Sequence, residues 1–132
     1  MALDTLQSFV SSELINRLDT LKTADIDALG FGAIKLDATG RILAYNAYES
    51  SLTGVKPDNA VGKNFFTDVA PCTNVREFAG AFHEGVQKKA LSKIFRYTFD
   101  HNMAPTKVTV TLHYDAKGDA AWVFVRKYEG EG

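Results

Sequence analysis

The chain has a single cysteine, Cys72, which lies in the run Asp68-Val-Ala-Pro-Cys-Thr73. One thiol excludes an intramolecular disulfide and a metal site built from several cysteines. Three uses remain: packing as a small buried hydrophobe, redox chemistry, or covalent attachment of another group. Pro71 fixes a backbone dihedral and removes a donor just before the thiol, so it can turn the chain and present the sulfur to a pocket.

A second chemical feature is the pair Tyr45 and Glu49, two hydrogen-bonding groups four residues apart. If a strand ends at Tyr45 and a helix follows, both groups can face one side and donate to one anionic oxygen. Such an anion is stable in a buried site only when donors favour its charged form, and a glutamate donates only while protonated. Two simpler readings stay open: Tyr45 packs as a strand aromatic, and Glu49 reaches back to Asn46 in a capping box.

The histidines do not form a recognisable metal or catalytic motif. His83, His101 and His113 lack an i, i+4 pairing or a neighbouring cysteine, so we expect no zinc site. No local context supports a nucleophile made of Cys72 and a histidine. The Gly30-Phe-Gly32 pair lacks the third glycine of a dinucleotide fingerprint and precedes a strand.

Composition predicts one globular domain. The chain has 132 residues, of which 45% are hydrophobic and 23% charged, with a formal net charge of −1. This charge favours neither nucleic acid nor an anionic membrane as a partner. The first residues lack a secretion signal, and no apolar run is long enough to cross a bilayer, so we expect a cytoplasmic protein without a membrane partner.

The pattern of apolar and turn residues predicts the order β-β-α-α-α-β-β-β, which is the order of PAS domains. Asn46 can cap a helix, Gly54 can end it, and Pro57 can open the next one. An amphipathic segment, as one helix or two short ones, is expected before these elements, over residues 3–21. The elements expected are a connector at Asp25–Leu29, strands at Phe31–Leu36 and Arg41–Tyr45, short helices and loops over Asn46–Thr73, a helix at Val75–Lys89, and strands at Lys93–Phe99, Lys107–Tyr114 and Ala120–Lys127.

Several longer motifs make the chain similar to the photoactive yellow protein family over residues 25–127. They are Leu29–Ile34, Ile42–Asn46, Gly62–Phe66, Val69–Thr73, Tyr97–Asp100, Pro105–Val108 and Trp122–Val125. The resemblance implies an α+β PAS fold with a central antiparallel five-stranded sheet flanked by helices. It also implies an N-terminal helical cap at residues 1–28, a photosensory core at 29–128 and a flexible tail at 129–132.

The resemblance further implies a blue-light photoreceptor and not an enzyme. Its cofactor would be p-coumaric acid (4-hydroxycinnamic acid), bound to Cys72 as a thioester, with its phenolate held by Tyr45 and Glu49. Thr53 would support Tyr45, and the pocket walls would be Phe65, Val69, Phe99 and Met103. Signalling would proceed by trans–cis isomerisation, proton transfer from Glu49 and partial unfolding. The output would pass to an unknown downstream protein, with the chain itself a monomer or weak dimer.

The chain departs from the well-known members at several positions near the site. Val55 replaces an arginine, with Lys56 as a nearby substitute cation, and His101 replaces a tyrosine in the loop over the ring. Ser50 and Ser51 replace a glycine and an aspartate. These changes predict that a fraction of the chromophore is protonated in the dark. The competing interpretations are a non-photochemical PAS ligand or redox sensor, and, third, an enzyme that uses Cys72.

Overall fold

The structure is a computed structural model that describes residues 9–101 and 104–127. Short helices precede and connect two groups of strands, and the longest strands come last. In chain order the elements are α1 (Ser12–Asn16), a 3₁₀ turn (Leu18–Thr20), α2 (Thr23–Asp27), β1 (Gly32–Leu36), β2 (Ile42–Tyr45), α3 (Ala47–Thr53), α4 (Pro57–Ala60), a π turn (Phe65–Val69), a 3₁₀ turn (Pro71–Thr73), a second π turn (Arg76–Gly80), α5 (Ala81–Lys88), β3 (Ser92–His101), β4 (Ala104–Asp115) and β5 (Ala120–Lys127).

The strands form one five-stranded sheet in the order β2-β1-β5-β4-β3, and all neighbours are antiparallel. The central strand is β5, which pairs with β1 on one side and β4 on the other. The helices between β2 and β3 carry the chain from one edge of the sheet to the other. The fold class expected from the sequence is therefore confirmed.

The inner face of the sheet packs against the helices and turns between β2 and β3. The buried members of this inner cluster are Ile34, Leu36, Ile42, Tyr45, Ala60, Phe65, Phe66, Val69, Ala70, Phe78, Ala79, Phe82, Val108, Val110, Leu112, Ala121, Val123 and Val125. Aromatic rings fill its centre. The ring centroid of Phe78 lies 6.0 Å from that of Phe65, 5.9 Å from Phe66, and 5.3 Å from both Phe95 and Tyr97. Such edge and tilted contacts add attraction beyond the burial of apolar area.

The outer face of the sheet has a second apolar cluster beneath the N-terminal segment. Its buried members are Val10, Leu14, Leu18, Ile26, Ala33, Trp122 and Phe124. Lys117, in the turn between β4 and β5, donates to the Asn16 carbonyl, and its Nζ lies 3.8 Å from Asp19 Oδ1. Arg126 lies over the ring of Phe9, with 5.2 Å between its guanidinium carbon and the ring centroid. The N-terminal segment is thus held by its own apolar contacts and by the cations Lys117 and Arg126.

Three element predictions differ from the structure. The strands expected at Lys93–Phe99 and Lys107–Tyr114 are longer, so His101, expected in a loop over the ring, belongs to β3 and pairs with Ala104 of β4. The expected connector at Asp25–Leu29 begins within α2, because the Asp25 carboxylate accepts from the Lys22 backbone N–H at 2.9 Å and starts the helix earlier. The expected helix at Val75–Lys89 opens with a π turn, in which Gly80 N–H donates to the Val75 carbonyl at 3.1 Å. Apolar spacing does not separate a π turn from an α turn, so the sequence could not show this difference.

None of the helices in the described part of the chain is long and apolar enough to cross a membrane.

The central aromatic position gives a first test of this packing. Phe78 is fully buried, so we expect Phe78→Ala to lower the free energy of unfolding by about 3–5 kcal/mol, through lost apolar transfer and the cavity left behind. Urea unfolding followed by circular dichroism measures the change. Val75→Ala is the matched control, since Val75 is 40% exposed in the same segment. An equal loss in both variants would contradict the assigned core.

Candidate functional site

Asn46 fixes the start of α3 with all of its side-chain hydrogen-bonding groups. Its Oδ1 accepts from the backbone N–H groups of Glu49 at 3.1 Å and Ala33 at 3.0 Å. Its Nδ2 donates to the carbonyls of Ile26 at 3.0 Å and Phe31 at 2.9 Å. The expected cap is therefore present, and it also joins α3 to β1 and α2.

The carboxyl group of Glu49 is deeply buried. The residue is 0% exposed, and neither carboxyl oxygen has a hydrogen bond to any described residue. Burial raises the pKa of Glu49 to about 8, so the group is mostly protonated at neutral pH. The capping-box alternative is wrong, because the Asn46 N–H donates to the Ala33 carbonyl at 3.2 Å instead of to Glu49. A buried donor without an acceptor requires an explanation.

Tyr45 lies beside this carboxyl group and contacts Thr53. The distance from Tyr45 Oη to Thr53 Oγ1 is 2.5 Å, as expected if Thr53 supports the tyrosine. Thr53 Oγ1 also lies 3.2 Å from the Glu49 carbonyl and accepts from the Val55 N–H at 3.2 Å. Burial, and next the charge of Glu49, raise the pKa of Tyr45, while the Thr53 hydrogen bond lowers it.

The single proton of the Thr53 hydroxyl has two possible acceptors. If it goes to the Glu49 carbonyl, Tyr45 must donate its own proton to Thr53. If it goes to Tyr45, the tyrosine proton is available to a third group. Tyr45 can therefore act as a donor within the site, and Thr53 decides whether it does.

Cys72 lies in the 3₁₀ turn that Pro71 opens. Its side chain is half-buried and packs against the inner cluster. The turn is held on both sides, because the Tyr97 hydroxyl donates to the Cys72 carbonyl and Thr73 Oγ1 donates to the Ala70 carbonyl at 2.7 Å. The thiol thus projects from a fixed backbone beside the cluster that contains Tyr45.

The predicted pocket walls are described only in part. Phe65 and Val69 are buried members of the inner cluster, together with Tyr45. Phe99 pairs with Thr106 in the sheet, but its side chain is not described. Met103 lies outside the described residues.

Among the positions that depart from the resembled family, the structure describes some side chains and, at one position, only the backbone. Val55 is half-buried against the inner cluster, so an apolar side chain occupies the place expected for a cation. Lys56 is exposed at the start of α4. His101 pairs with Ala104 in the sheet, and only its backbone is described.

Two contributions to the site were not predicted from the sequence. The Tyr97 hydroxyl bonds to the Cys72 carbonyl across 25 residues of chain, a contact that depends on how β3 lies against the turn. Asn46 was predicted as a cap, but its bonds to Ile26 and Phe31 were not. The only available signal for Tyr97 was its alternation with Phe95 on one face of a strand. Within residues 9–101 and 104–127, no group of His, Cys, Asp or Glu is arranged to hold a metal.

Comparison with known proteins identifies close relatives. A family model described as PAS fold matches residues 23–127. A protein named "Photoactive yellow protein" from Rhodothalassium salexigens is 49% identical over 119 residues, which are 90% of this chain and 95% of the relative. One of the same name from Halochromatium salexigens is 46% identical, with the same shares covered.

A solved structure is also similar to this chain in both fold and sequence. It is the photoactive yellow protein domain of the sensor histidine kinase Ppr from Rhodospirillum centenum, with a TM-score of 0.81 and 43% identity. The match covers 86% of this chain and 99% of that one.

The raised pKa of Glu49 predicts how stability depends on pH. Between the usual value of 4.5 and about 8, the folded chain keeps a proton that the unfolded chain has lost. The contribution of this group to stability is therefore fully present below pH 4.5. The free energy of unfolding then falls as pH rises through this window, by at most about 1.4 kcal/mol per pH unit.

The control for this prediction is Glu49→Gln, which has a similar shape but does not ionise. Urea unfolding of both chains at a series of pH values gives the difference, in which other titrating groups cancel. We expect the parent chain to lose stability relative to the variant as pH rises. Parallel curves would mean that Glu49 is not buried in its protonated form.

Proposed function

This chain belongs to the photoactive yellow protein family of the PAS fold and is a photoreceptor of that type; we propose that its light-absorbing group is p-coumaric acid, joined to Cys72 as a thioester. When bound, this group supplies visible absorption, a double bond that changes from trans to cis on absorbing blue light, and a phenolate oxygen that accepts protons. The remaining steps belong to residues of the chain.

The observation that carries the proposal is the unpartnered carboxyl of Glu49. Its oxygens are buried and have no hydrogen bond within the described parts of the chain, although native proteins pair nearly all such groups. A phenolate oxygen would accept a hydrogen bond from the protonated carboxyl of Glu49 and so give this buried donor a partner. The buried Tyr45 hydroxyl would be the second donor, when Thr53 donates to Tyr45.

This donor pair also accounts for how an anion would be kept in an apolar site. A buried phenolate is costly unless donors favour its charged form. Glu49 is mostly protonated at neutral pH because burial raises its pKa. A negative charge next to it would raise that pKa further, so the proton stays on Glu49 in the dark.

The environment of Cys72 fits an attachment point. The side chain is only half-buried, so an acyl group can reach the sulfur. It also packs against the cluster that includes Phe65, Val69 and Tyr45, so a ring attached there would lie among apolar side chains. We propose Phe99 and Met103 as the remaining pocket walls, as the family resemblance implies. Tyr97, through the Cys72 carbonyl, would keep the attachment point from moving.

We assign the signal to Glu49. After light absorption, Glu49 would give its proton to the phenolate oxygen, and its carboxylate would be left in apolar surroundings. A buried charge without a partner is unfavourable by several kcal/mol. Val55 supplies no cation to offset it. This cost favours a state in which α3 leaves its place and exposes Glu49 to water.

Asn46 gives a path from this change to the N-terminal cap. Its side chain accepts from the Glu49 N–H and donates to the Ile26 carbonyl in α2. If α3 moves, the bond to Ile26 is lost with the cap of the helix. The segment before β1 forms a separate cluster on the outer face, so it can leave while the inner cluster remains.

The domain boundaries that we propose are those predicted from the sequence. Residues 1–28 would be the cap that is released, 29–128 the photosensory core and 129–132 a tail. The relative from Rhodospirillum centenum is a domain of a sensor histidine kinase. For this chain we propose a cytoplasmic receptor, monomeric or weakly dimeric, whose released cap is recognised by a separate signalling protein.

Reconstitution tests the attachment. After reaction with activated p-coumaric acid, we expect a visible absorption band. We also expect a mass increase on Cys72 that persists after the chain is denatured. A blue flash should bleach the band, which should then recover. A second band in the near ultraviolet is expected as well, because Val55 replaces a cation near the site.

The matched control is Cys72→Ser, which keeps a small polar side chain but cannot form a thioester. This variant should show no visible absorption band from a covalently bound group. A visible band of equal strength in this variant would overturn the proposed attachment. Failure of the parent chain to bind the group at all would favour a PAS sensor with a reversible ligand.

A further inference from the structure

Gly32 lies directly beneath the carboxyl group of Glu49. It is the first residue of β1 and pairs with Val125 of the central strand. Its φ is not positive, unlike those of Gly40, Gly54 and Gly62. The backbone at this position therefore accepts any L-residue, and the reason for a glycine must be space.

The available space is occupied by Glu49. A Cβ at Gly32 would lie 2.2 Å from Glu49 Oε1, 3.4 Å from Glu49 Cβ and 3.2 Å from the Val125 carbonyl oxygen. The first distance is far shorter than any contact between unbonded atoms. The Val125 carbonyl belongs to the ladder between β1 and β5 and cannot move freely. An added methyl group would therefore displace the carboxyl.

The rest of Glu49 has little freedom to move away. Its N–H donates to Asn46, and Asn46 also accepts from Ala33, the neighbour of Gly32 on β1. The helix α3 is thus tied to the strand at this point. Only the side chain of Glu49 could respond to a new methyl group on the strand.

We propose that Gly32 is a positioning residue: its missing side chain leaves the space that holds the Glu49 carboxyl at the place where it donates to the bound phenolate. The donating role rests on the function proposed above, whereas the contact between Gly32 and Glu49 does not. Gly32 would act only through Glu49. It would not itself touch the phenolate oxygen.

A double-mutant cycle tests the contact in the full chain before any p-coumaric acid is added. Gly32→Ala should lower the midpoint of urea unfolding in the parent chain. In the Glu49→Ala background it should lower the midpoint by less than half as much, because Oε1 is gone. The contact with the Val125 carbonyl is the same in both backgrounds and cancels.

Gly30→Ala is the matched control. Gly30 precedes the same strand, and a Cβ there would meet nothing within 4 Å. This variant should behave alike in both backgrounds. If Gly32→Ala folds only together with Glu49→Ala, the proposal is supported. Equal losses in both backgrounds, or no folding in either, would assign the cost to the strand and overturn it.

The second measurement is the pKa of the bound phenol in reconstituted Gly32→Ala, read from the ratio of the visible and near-ultraviolet bands. We expect a rise of about one unit, a tenfold change in proton affinity, because the displaced carboxyl donates less well. Gly30→Ala should leave this pKa unchanged. An unchanged pKa in Gly32→Ala would overturn the positioning role. A parent chain without colour would instead refute the proposed function, while the cycle would still test the contact.

Discussion

The buried carboxyl of Glu49 is the constraint on which the rest of the site depends. A polar group without a partner destabilises the fold, and an ionised one destabilises it more. The chain tolerates the group by keeping it protonated, since burial raises its pKa to about 8. The inner cluster supplies the apolar contacts that offset this free-energy cost. The same burial that makes Glu49 a donor also makes its ionised form unstable.

The position of that carboxyl is set from three directions. Asn46 ties the first turn of α3 to β1 and α2 through four hydrogen bonds. Gly32 leaves room on the strand below it. Tyr45, which is near enough for the charge of Glu49 to raise its pKa, is held by a hydrogen bond of 2.5 Å to Thr53 at the end of the same helix. Because Asn46 also reaches α2, a change at Glu49 is linked mechanically to the N-terminal segment on the opposite face of the sheet.

Much of this arrangement could be predicted because its causes are local. The strand β4 follows from the alternation of apolar and polar residues, and β5 from a continuous apolar run. Asn46, Gly54 and Pro57 mark helix ends by their own chemistry; Gly54 indeed ends α3 with a φ of 80°. The role of Glu49 could not be obtained in this way. Asn46-x-x-Glu49 is equally consistent with a capping box, and only the tertiary packing decides that the carboxyl faces Gly32 instead of the cap.

The long-range contacts could not be predicted from the sequence, because they also depend on tertiary packing. The bond from Tyr97 to the Cys72 carbonyl depends on how β3 lies against a turn 25 residues away. The space above Gly32 exists only because α3 packs on β1, and a glycine at the first position of a strand has no unique meaning on its own. The π turn before α5 has the same apolar spacing as an α-helix. Family resemblance supplied the pairing of Tyr45 with Glu49, which local patterns left open.

Infrared difference spectroscopy of the reconstituted chain before and after a blue flash, compared with Glu49→Gln, tests most directly whether proton loss from Glu49 drives the response. We expect a protonated carboxyl C=O band to disappear and carboxylate bands to appear, followed by a large amide change. Glu49→Gln should lack both. If Glu49 is already ionised in the dark, or if the variant gives the same amide change, proton loss from Glu49 does not drive the response.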